Sequence, residues 1–327
     1  MMRALVLHHP YTYPRFEQDF MDRIAELPEF DVAPADLSAL QVGELVAAER
    51  SVTLTNYDAV VVFVAFKRLR AAPALRWGAF SGLRVLMDHD IIQNYSDIFD
   101  PTLRGAWPPV FYRHGFDAII TSGAEVQARL NDEGVAADWV AKGFEPTRFS
   151  PVTGARQGVA TYGSAYLCRQ IAERAAVDAG LPLTRLPMVP YFELGAHLAR
   201  FLACMAISSD LVASVEQRDR LAHTPARDVP MRPGLEPMAK LFEGAGAGCC
   251  PIVDDMADLR ALGFRDGESA LTFSTHAELV DKLRAALDAP AKLQAMGSAA
   301  SALVHAQHTW GHRANALRDA LMRRLAF

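Results

Sequence analysis

Arg232-Pro-Gly-Leu-Glu-Pro-Met-Ala-Lys-Leu-Phe-Glu-Gly-Ala-Gly-Ala-Gly-Cys-Cys-Pro-Ile-Val-Asp-Asp255 is the stretch whose reading decides the fold. Pro233 and Gly234 mark a turn, Met238 to Gly246 has the spacing of a short helix, Gly248 stops it, and Cys250 to Val253 reads as a buried strand. A loop, helix and strand in that order aim backbone N–H groups and the positive end of a helix dipole at whatever lies before the helix, which suits a diphosphate. Glu243, about one turn in, is placed to accept two hydrogen bonds from a ribose cis-diol. The other reading of the same residues is that Gly244, Gly246 and Gly248 only permit tight packing and that Glu243 is a solvated helix residue.

Outward from this unit the chain alternates strands and helices. Arg3 to His8 is expected to be a strand, Arg15 to Leu27 a helix, Asp31 to Ala33 a strand and Val42 to Arg50 a helix. Tyr57 to Phe66 contains the run Ala59-Val60-Val61-Val62-Phe63-Val64, the pattern of a central parallel strand covered on both faces. Lys67 to Phe80 is expected to be helical, Leu83 to Met87 a strand leading into Asp88-His89-Asp90, and Phe116 to Thr121 and Trp139 to Ala141 further strands with a helix over Ala124 to Asn131 between them. A second series starts at Gly158: strands at Gly158 to Tyr162, Leu183 to Leu186 and Met205 to Ser208, with helices at Leu167 to Asp178 and Gly195 to Leu202. Helices at Glu278 to Leu287 and Ala291 to Leu303 and a last one through Leu325 follow the central unit. Both series are α/β and doubly wound, with ligands expected beyond the carboxyl ends of the strands.

With 327 residues and 51% hydrophobic content, the chain is long enough for two packed cores. Its 33 basic and 38 acidic residues give a formal charge of −5, against a duplex nucleic-acid binder that relies on bulk phosphate attraction. Cys168, Cys204, Cys249 and Cys250 form no C-x-x-C pair and read as buried thiols of a reducing compartment. Met1 to His9 is too short for a secretory signal and no apolar run reaches the roughly 18 residues of a spanning helix, so a cytoplasmic location is expected. There is no P-loop, no Ser-His-Asp constellation and no G-x-G-x-x-G after the first strand, which counts against kinase, hydrolase and dehydrogenase readings.

Lys240 to Gly248, followed by Pro251-Ile252-Val253, resembles the R/K-x-F-E-x-x-A-x-G-x-P signature of retaining glycosyltransferases of the GT-B fold, family 4 and its spore-maturation branch. Lys142 to Pro151 is similar to the segment with which those enzymes pass from first to second domain, and Asp266 to Phe273 resembles their D-G turn and strand. His308 to Arg313 and the helix after it also match. The resemblance implies two Rossmann-like doubly wound domains facing a cleft: residues 1–150 for the acceptor, 151–308 for the nucleotide sugar, and a terminal helix, 309–327, crossing back to the first domain. It implies a hexosyltransferase that moves a sugar from a UDP or GDP sugar to a hydroxyl with retention of configuration and no required cofactor or metal.

By this resemblance Glu243 holds the donor ribose, with Gly234, Leu235, Glu236 and Met238 near its phosphates and Gly163, Arg169, Lys240 and Arg232 as further donor contacts. Glu236 is the counterpart of the family's first glutamate, which lies close to the transferred sugar, although six residues separate it from Glu243, one fewer than the family has. His89 is expected in the cleft beside the sugar, and Asp88 or Asp90 orients the acceptor hydroxyl. His8 and His9, beside Pro10, are expected to line the same cleft. Read differently, Asp88-His89-Asp90 is the D-x-D with which GT-A transferases hold Mn²⁺ or Mg²⁺. The same donor cleft would also serve a GT-B nucleotide-sugar epimerase or a non-catalytic sugar-nucleotide-binding protein. Arg313, Arg318, Arg323 and Arg324 on the last helix are open to a further reading, contact with an anionic lipid surface.

Overall fold

A computed structural model describes residues 2–9, 15–48, 52–96, 100–211 and 224–326. The chain divides into two compact units: Met1–Tyr95, Thr102–Ala141 and Trp310–Phe327 form the first, and Ser96–Pro101 with Lys142–Thr309 the second.

The first unit is built on a six-stranded parallel sheet. Its strands β1 (Ala4–His8), β2 (Phe30–Pro34), β3 (Ala59–Phe63), β4 (Leu83–Asp88), β5 (Ala118–Thr121) and β6 (Ala137–Trp139) lie in the order β2-β1-β3-β4-β5-β6. All five residues of β3 are buried, as a Val-rich strand between two neighbours and two covered faces demands. Around the sheet lie α1 (Arg15–Ala25), α2 (Leu37–Leu40), α3 (Phe66–Ala71), α4 (Trp107–His114) and α5 (Ala124–Asp132).

Local chemistry explains where these elements depart from the periodicity. The Asp36 carboxylate caps α2 by accepting from the Ser38 and Ala39 N–H groups at 2.8 and 3.1 Å, so the helix stands ahead of the expected Val42 to Arg50. Residues 41–48 are turn and bridge instead, and 49–50 lie outside the described residues. Helix α3 stops at Ala71 instead of running to Phe80, because Pro73 forces Ala72 into an extended conformation, φ −70° and ψ 147°. Helix α4 has no counterpart in the periodicity reading; Pro108 and Pro109 sit in its first turn, where a missing N–H costs nothing, and Gly115 closes it in the left-handed region at φ +66°.

The second unit has a five-stranded parallel sheet made of β7 (Val159–Thr161), β8 (Leu183–Arg185), β9 (Ala203–Met205), β12 (Cys250–Asp254) and β13 (Leu271–Phe273), in the order β8-β7-β9-β12-β13. A two-stranded antiparallel ribbon, β10 (Asp210–Leu211) and β11 (Met231–Arg232), stands apart from it. Helices α6 (Leu167–Asp178), α7 (Tyr191–Leu198), α8 (Ala239–Gly246), α9 (Ala257–Ala261), α10 (His276–Leu287) and α11 (Pro290–Gln307) complete the unit.

The last helix, α12 (Trp310–Leu325), belongs to the first unit. Trp310, Ala314, Leu317 and Leu321 join the core formed by β1, β3, β4 and β5, and the Trp310 ring stacks on Phe20 of α1 at 4.8 Å. Three of its four arginines named above are engaged within the unit: Arg324 pairs with Asp138 at 2.7 Å, Arg318 with Asp319 at 3.1 Å, and Arg313 is buried, while Arg323 is exposed. That arrangement counts against the lipid-contact reading. Among the described residues no helix is long and apolar enough to cross a membrane.

Gly297 of α11 lies against the chain entering β12, where an added Cβ would stand 2.6 Å from the Gly248 carbonyl oxygen and 2.9 Å from the Cys250 nitrogen. Backbone on both sides cannot yield as a flexible side chain would. Gly297→Ala should therefore cost about 1–3 kcal/mol of stability, read as a lower urea midpoint.

Candidate nucleotide-sugar site

In an open parallel sheet the ligand crevice opens where the strand order reverses, here between β7 and β9. The turn after β7, Tyr162-Gly163-Ser164, and the segment after β9, Ala206 to Ser209, form its two sides. Gly163 takes φ +74° there, and an added Cβ would come within 2.5 Å of the Lys240 Nζ.

Two cations meet at this turn, Arg169 buried and Lys240 half-buried. Lys240, in the first turn of α8, donates to the Tyr162 carbonyl and stands 4.6 Å from the centre of the Tyr162 ring. Arg169, in the first turn of α6, is 2% exposed; it donates to the carbonyls of Ser164 and Ile207, and its guanidinium lies 5.4 Å from the Tyr166 ring centre. Burial, and then the charge of Arg169, bring the Lys240 pKa down to about 7, while Glu243 pulls the other way. Burial also lowers the pKa of Arg169. Arg169 Nε and the hydroxyls of Ser208 and Ser209 are buried and make no hydrogen bond among the described residues. Unsatisfied donors beside crowded positive charge are the environment an anionic ligand completes.

Glu243 is not a solvated helix residue. It is 5% exposed, and its two oxygens accept hydrogen bonds from the hydroxyls of Tyr162 and Tyr191, each at 3.0 Å. Burial, and next the Glu243 charge, push the Tyr162 pKa well above its ordinary value, so the phenol stays a donor. The glycines beside it also do the packing work of the other reading: Gly244 lies against Cys204, Gly246 against Phe144, and Gly248 takes φ +87° just beyond the helix. The packing part of the second reading holds, and its solvated Glu243 does not.

Glu236 is fully buried, and Lys142 Nζ donates to its Oε1 at 2.6 Å, with side-chain exposures of 4% and 0%. The glutamate expected beside the transferred sugar is thus half of a buried ion pair. Gly234 offers no free N–H to a phosphate, because its N–H donates to Asp254 Oδ2 at 2.5 Å. Asp254, at the carboxyl end of β12, also accepts from the Ser208 N–H at 2.9 Å and so ties the loop to the end of β9. Burial raises the Asp254 pKa, and these backbone donors oppose the rise. Leu235 and Met238 are half-buried on the same loop, and Arg232 is exposed on β11.

In the first unit the three residues after β4 do separate things. Asp88 is fully buried and accepts from Trp107 Nε1 at 3.0 Å and from the Asp90 N–H at 2.8 Å, which makes it a structural carboxylate instead of an acceptor-orienting one. His89 is 2% exposed; its ring lies 5.1 Å from Phe63, 5.7 Å from Phe20 and 5.9 Å from Trp310, and its carbonyl accepts from Ser122 Oγ at 3.1 Å. It packs in an aromatic cluster of its own unit. Asp90 alone of the three lines an open cavity. Of the D-x-D pair, Asp88 has one oxygen engaged by Trp107 Nε1 and the other by the Asp90 N–H. His8 and His9 are half-buried at the end of β1, where burial and then His9 lower the His8 pKa; Pro10 lies outside the described residues.

Residues 184–319 match the model of the family described as Glycosyl transferase-like, Glyco_trans_1_2. Among solved structures the chain is similar to sucrose-phosphate synthase from Thermosynechococcus elongatus, with 11% identity, 99% of each chain covered and a TM-score of 0.66. The fold is GT-B. It is also similar to Anabaena Alr3699/HepE in complex with UDP-glucose, with 12% identity over 99% of this chain and 100% of that one and a TM-score of 0.62. A third similar structure is a putative UDP-N-acetylglucosamine 2-epimerase from Listeria monocytogenes, with 11% identity, 100% and 97% coverage and a TM-score of 0.54. No curated protein matches the chain.

The sequence reading brought Gly163, Arg169, Lys240 and Glu243 to one place, but Lys142, Tyr162, Tyr191, Ser208 and Ser209 escaped it. The two tyrosines and two serines follow strands or open a helix; only the sheet order shows that those ends adjoin. Lys142→Met should destabilise the protein by about 3–5 kcal/mol by leaving a buried carboxylate without its cation. The double variant Lys142→Met/Glu236→Met should recover most of that loss in chemical denaturation.

Proposed function

We propose that this protein is a glycosyltransferase that moves a sugar from a nucleoside-diphosphate sugar, a UDP sugar foremost, to a hydroxyl acceptor with retention of anomeric configuration and without a required divalent metal. The observation that carries the reading is the pair of cations, half-buried Lys240 and buried Arg169, at the strand-order reversal, with Lys240 one helical turn from a carboxylate held by two tyrosines. The UDP-glucose in the Anabaena structure and the glycosyl transferase-like match of residues 184–319 support the same class. Retention and metal independence rest on the likeness of Lys240 to Gly248 to the family 4 signature.

In this reading the Glu243 carboxylate accepts from the ribose diol, and Lys240, Arg169, Ser208 and Ser209 donate to the diphosphate. These residues stabilise the charge that develops on the leaving group from a site already desolvated, so little reorganisation accompanies bond cleavage. The bond from the anomeric carbon to the β-phosphate oxygen breaks with its electron pair going to the diphosphate. The acceptor oxygen bonds to that carbon on the same face, and its proton passes to a diphosphate oxygen. An epimerase acting in the same crevice, as the Listeria structure's name suggests for that protein, would turn over the nucleotide sugar with no acceptor.

Titration of UDP in EDTA-containing buffer should show binding to the wild-type protein, and Glu243→Ala should lose about 1.5–3 kcal/mol of binding free energy per ribose hydrogen bond. Turnover of a UDP sugar in the same buffer should give a glycoside with the donor's configuration by NMR. Unchanged UDP affinity in folded Glu243→Ala, or activity that needs added Mn²⁺, would remove the assignment.

A pH dependence follows from Lys240. Its pKa is lowered from 10.5 to about 7 in the free protein, so the ammonium is fully present only below that pH. A bound diphosphate favours the charged form and raises the pKa again. UDP affinity should therefore be greatest below about pH 7 and decline above it, by up to about tenfold per pH unit, with a proton taken up on binding. Lys240→Met should bind UDP weakly and show a flatter profile in the same calorimetry.

A further inference from the structure

The first unit contains a cavity of about 610 Å³ beyond the carboxyl ends of β3 and β4. At roughly 30 Å³ for each small non-hydrogen group, as for water, it holds a molecule of about twenty such atoms. One side is apolar: Leu40, Phe66, Ala72 and Leu103 are each more than nine-tenths buried. Phe66 is held in place by stacking on Trp107, centroid to centroid 3.7 Å with 10° between planes. Lys67 and Arg68, consecutive and exposed, also line the cavity, with Gln41, Gln93 and, beyond the end of β4, Asp90.

These features select among hydroxyl acceptors. A sugar carries hydroxyls round its whole perimeter, and the apolar side of this cavity would leave several of them desolvated and unpaired. A flat or apolar ring loses nothing against that side and gains by its burial. Two adjacent cations in the lining favour a carboxylate over a neutral substituent. The Asp90 carboxylate in the lining can accept from a hydroxyl.

We propose that this cavity takes a hydroxylated ring carboxylate as the sugar acceptor, with its ring against Leu40, Phe66 and Leu103, its anion toward Lys67 and Arg68, and its hydroxyl toward Asp90. The assignment of an acceptor role rests on the transferase reading above; the preference of the cavity does not.

Ligand-observed NMR on the full chain with three probes tests it: 4-hydroxybenzoate, its neutral analogue 4-hydroxybenzyl alcohol, and methyl glucoside. The expected order is 4-hydroxybenzoate first, the alcohol about tenfold weaker and the glucoside weakest. Lys67→Glu/Arg68→Glu, at two exposed positions and with its fold checked by circular dichroism, should weaken 4-hydroxybenzoate about tenfold and leave the alcohol unchanged. Tightest binding of the glucoside, equal binding of 4-hydroxybenzoate to the charge-reversed variant, or no saturation by any probe at millimolar concentration would overturn the proposal. UDP titrated in parallel separates the two readings: failure of UDP to bind in a protein that keeps this order would overturn the transferase assignment and not the cavity's preference.

Discussion

Two positive charges enclosed at one turn are the constraint to which the second unit is fitted. Lys240 and Arg169 would repel each other and lose their hydration without compensation, and the fold answers with carbonyls and π-faces. The carbonyls of Tyr162, Ser164 and Ile207 accept from them, and the rings of Tyr162 and Tyr166 lie beneath them. That compensation is incomplete, since Lys240 is brought to about 7 and Arg169 Nε has no acceptor among the described residues. Incompletely compensated charge of this kind is more expected of binding sites than of structural ones.

The segment Lys142 to Pro151 takes on meaning from the same site. Read alone it is a turn-rich stretch, yet three of its side chains support the crevice from behind. Lys142 neutralises Glu236 on the loop before α8, Phe144 fills the space left by Gly246, and the Phe149 ring meets Tyr191 edge-on at 5.5 Å. Tyr191 in turn fixes one oxygen of Glu243. The Glu243 carboxylate is held by Tyr162 and Tyr191, and Tyr191 is packed in turn by Phe149 of this upstream segment.

The first unit separates residues that look alike in sequence. Asp88 and Asp90 flank one histidine, but Asp88 turns inward to Trp107 at the end of its strand while Asp90, just beyond it, stands on the cavity. His89 is absorbed into the aromatic cluster that Trp310 completes from the far end of the chain. The terminal helix therefore does more than close the molecule: it decides what environment His89 has.

What the sequence determined by itself was set by local chemistry. The alternating pattern specified two α/β series; Leu167 to Asp178 is helical over the residues expected, and the helix read at Met238 to Gly246 is found at Ala239–Gly246. Proline and side-chain caps, which act within a few residues, account for the elements misplaced: Pro73 shortens α3, and Asp36 starts α2 early. Only the tertiary structure decided the partners of Glu236, Glu243 and Asp88, because a buried charge takes whichever group the fold brings within about 3 Å. Lys142, Tyr191 and Trp107 stand 94, 52 and 19 residues from the carboxylates they serve. No periodicity carries that information, since sheet order sets which strand ends adjoin and core packing sets which side chains lose water.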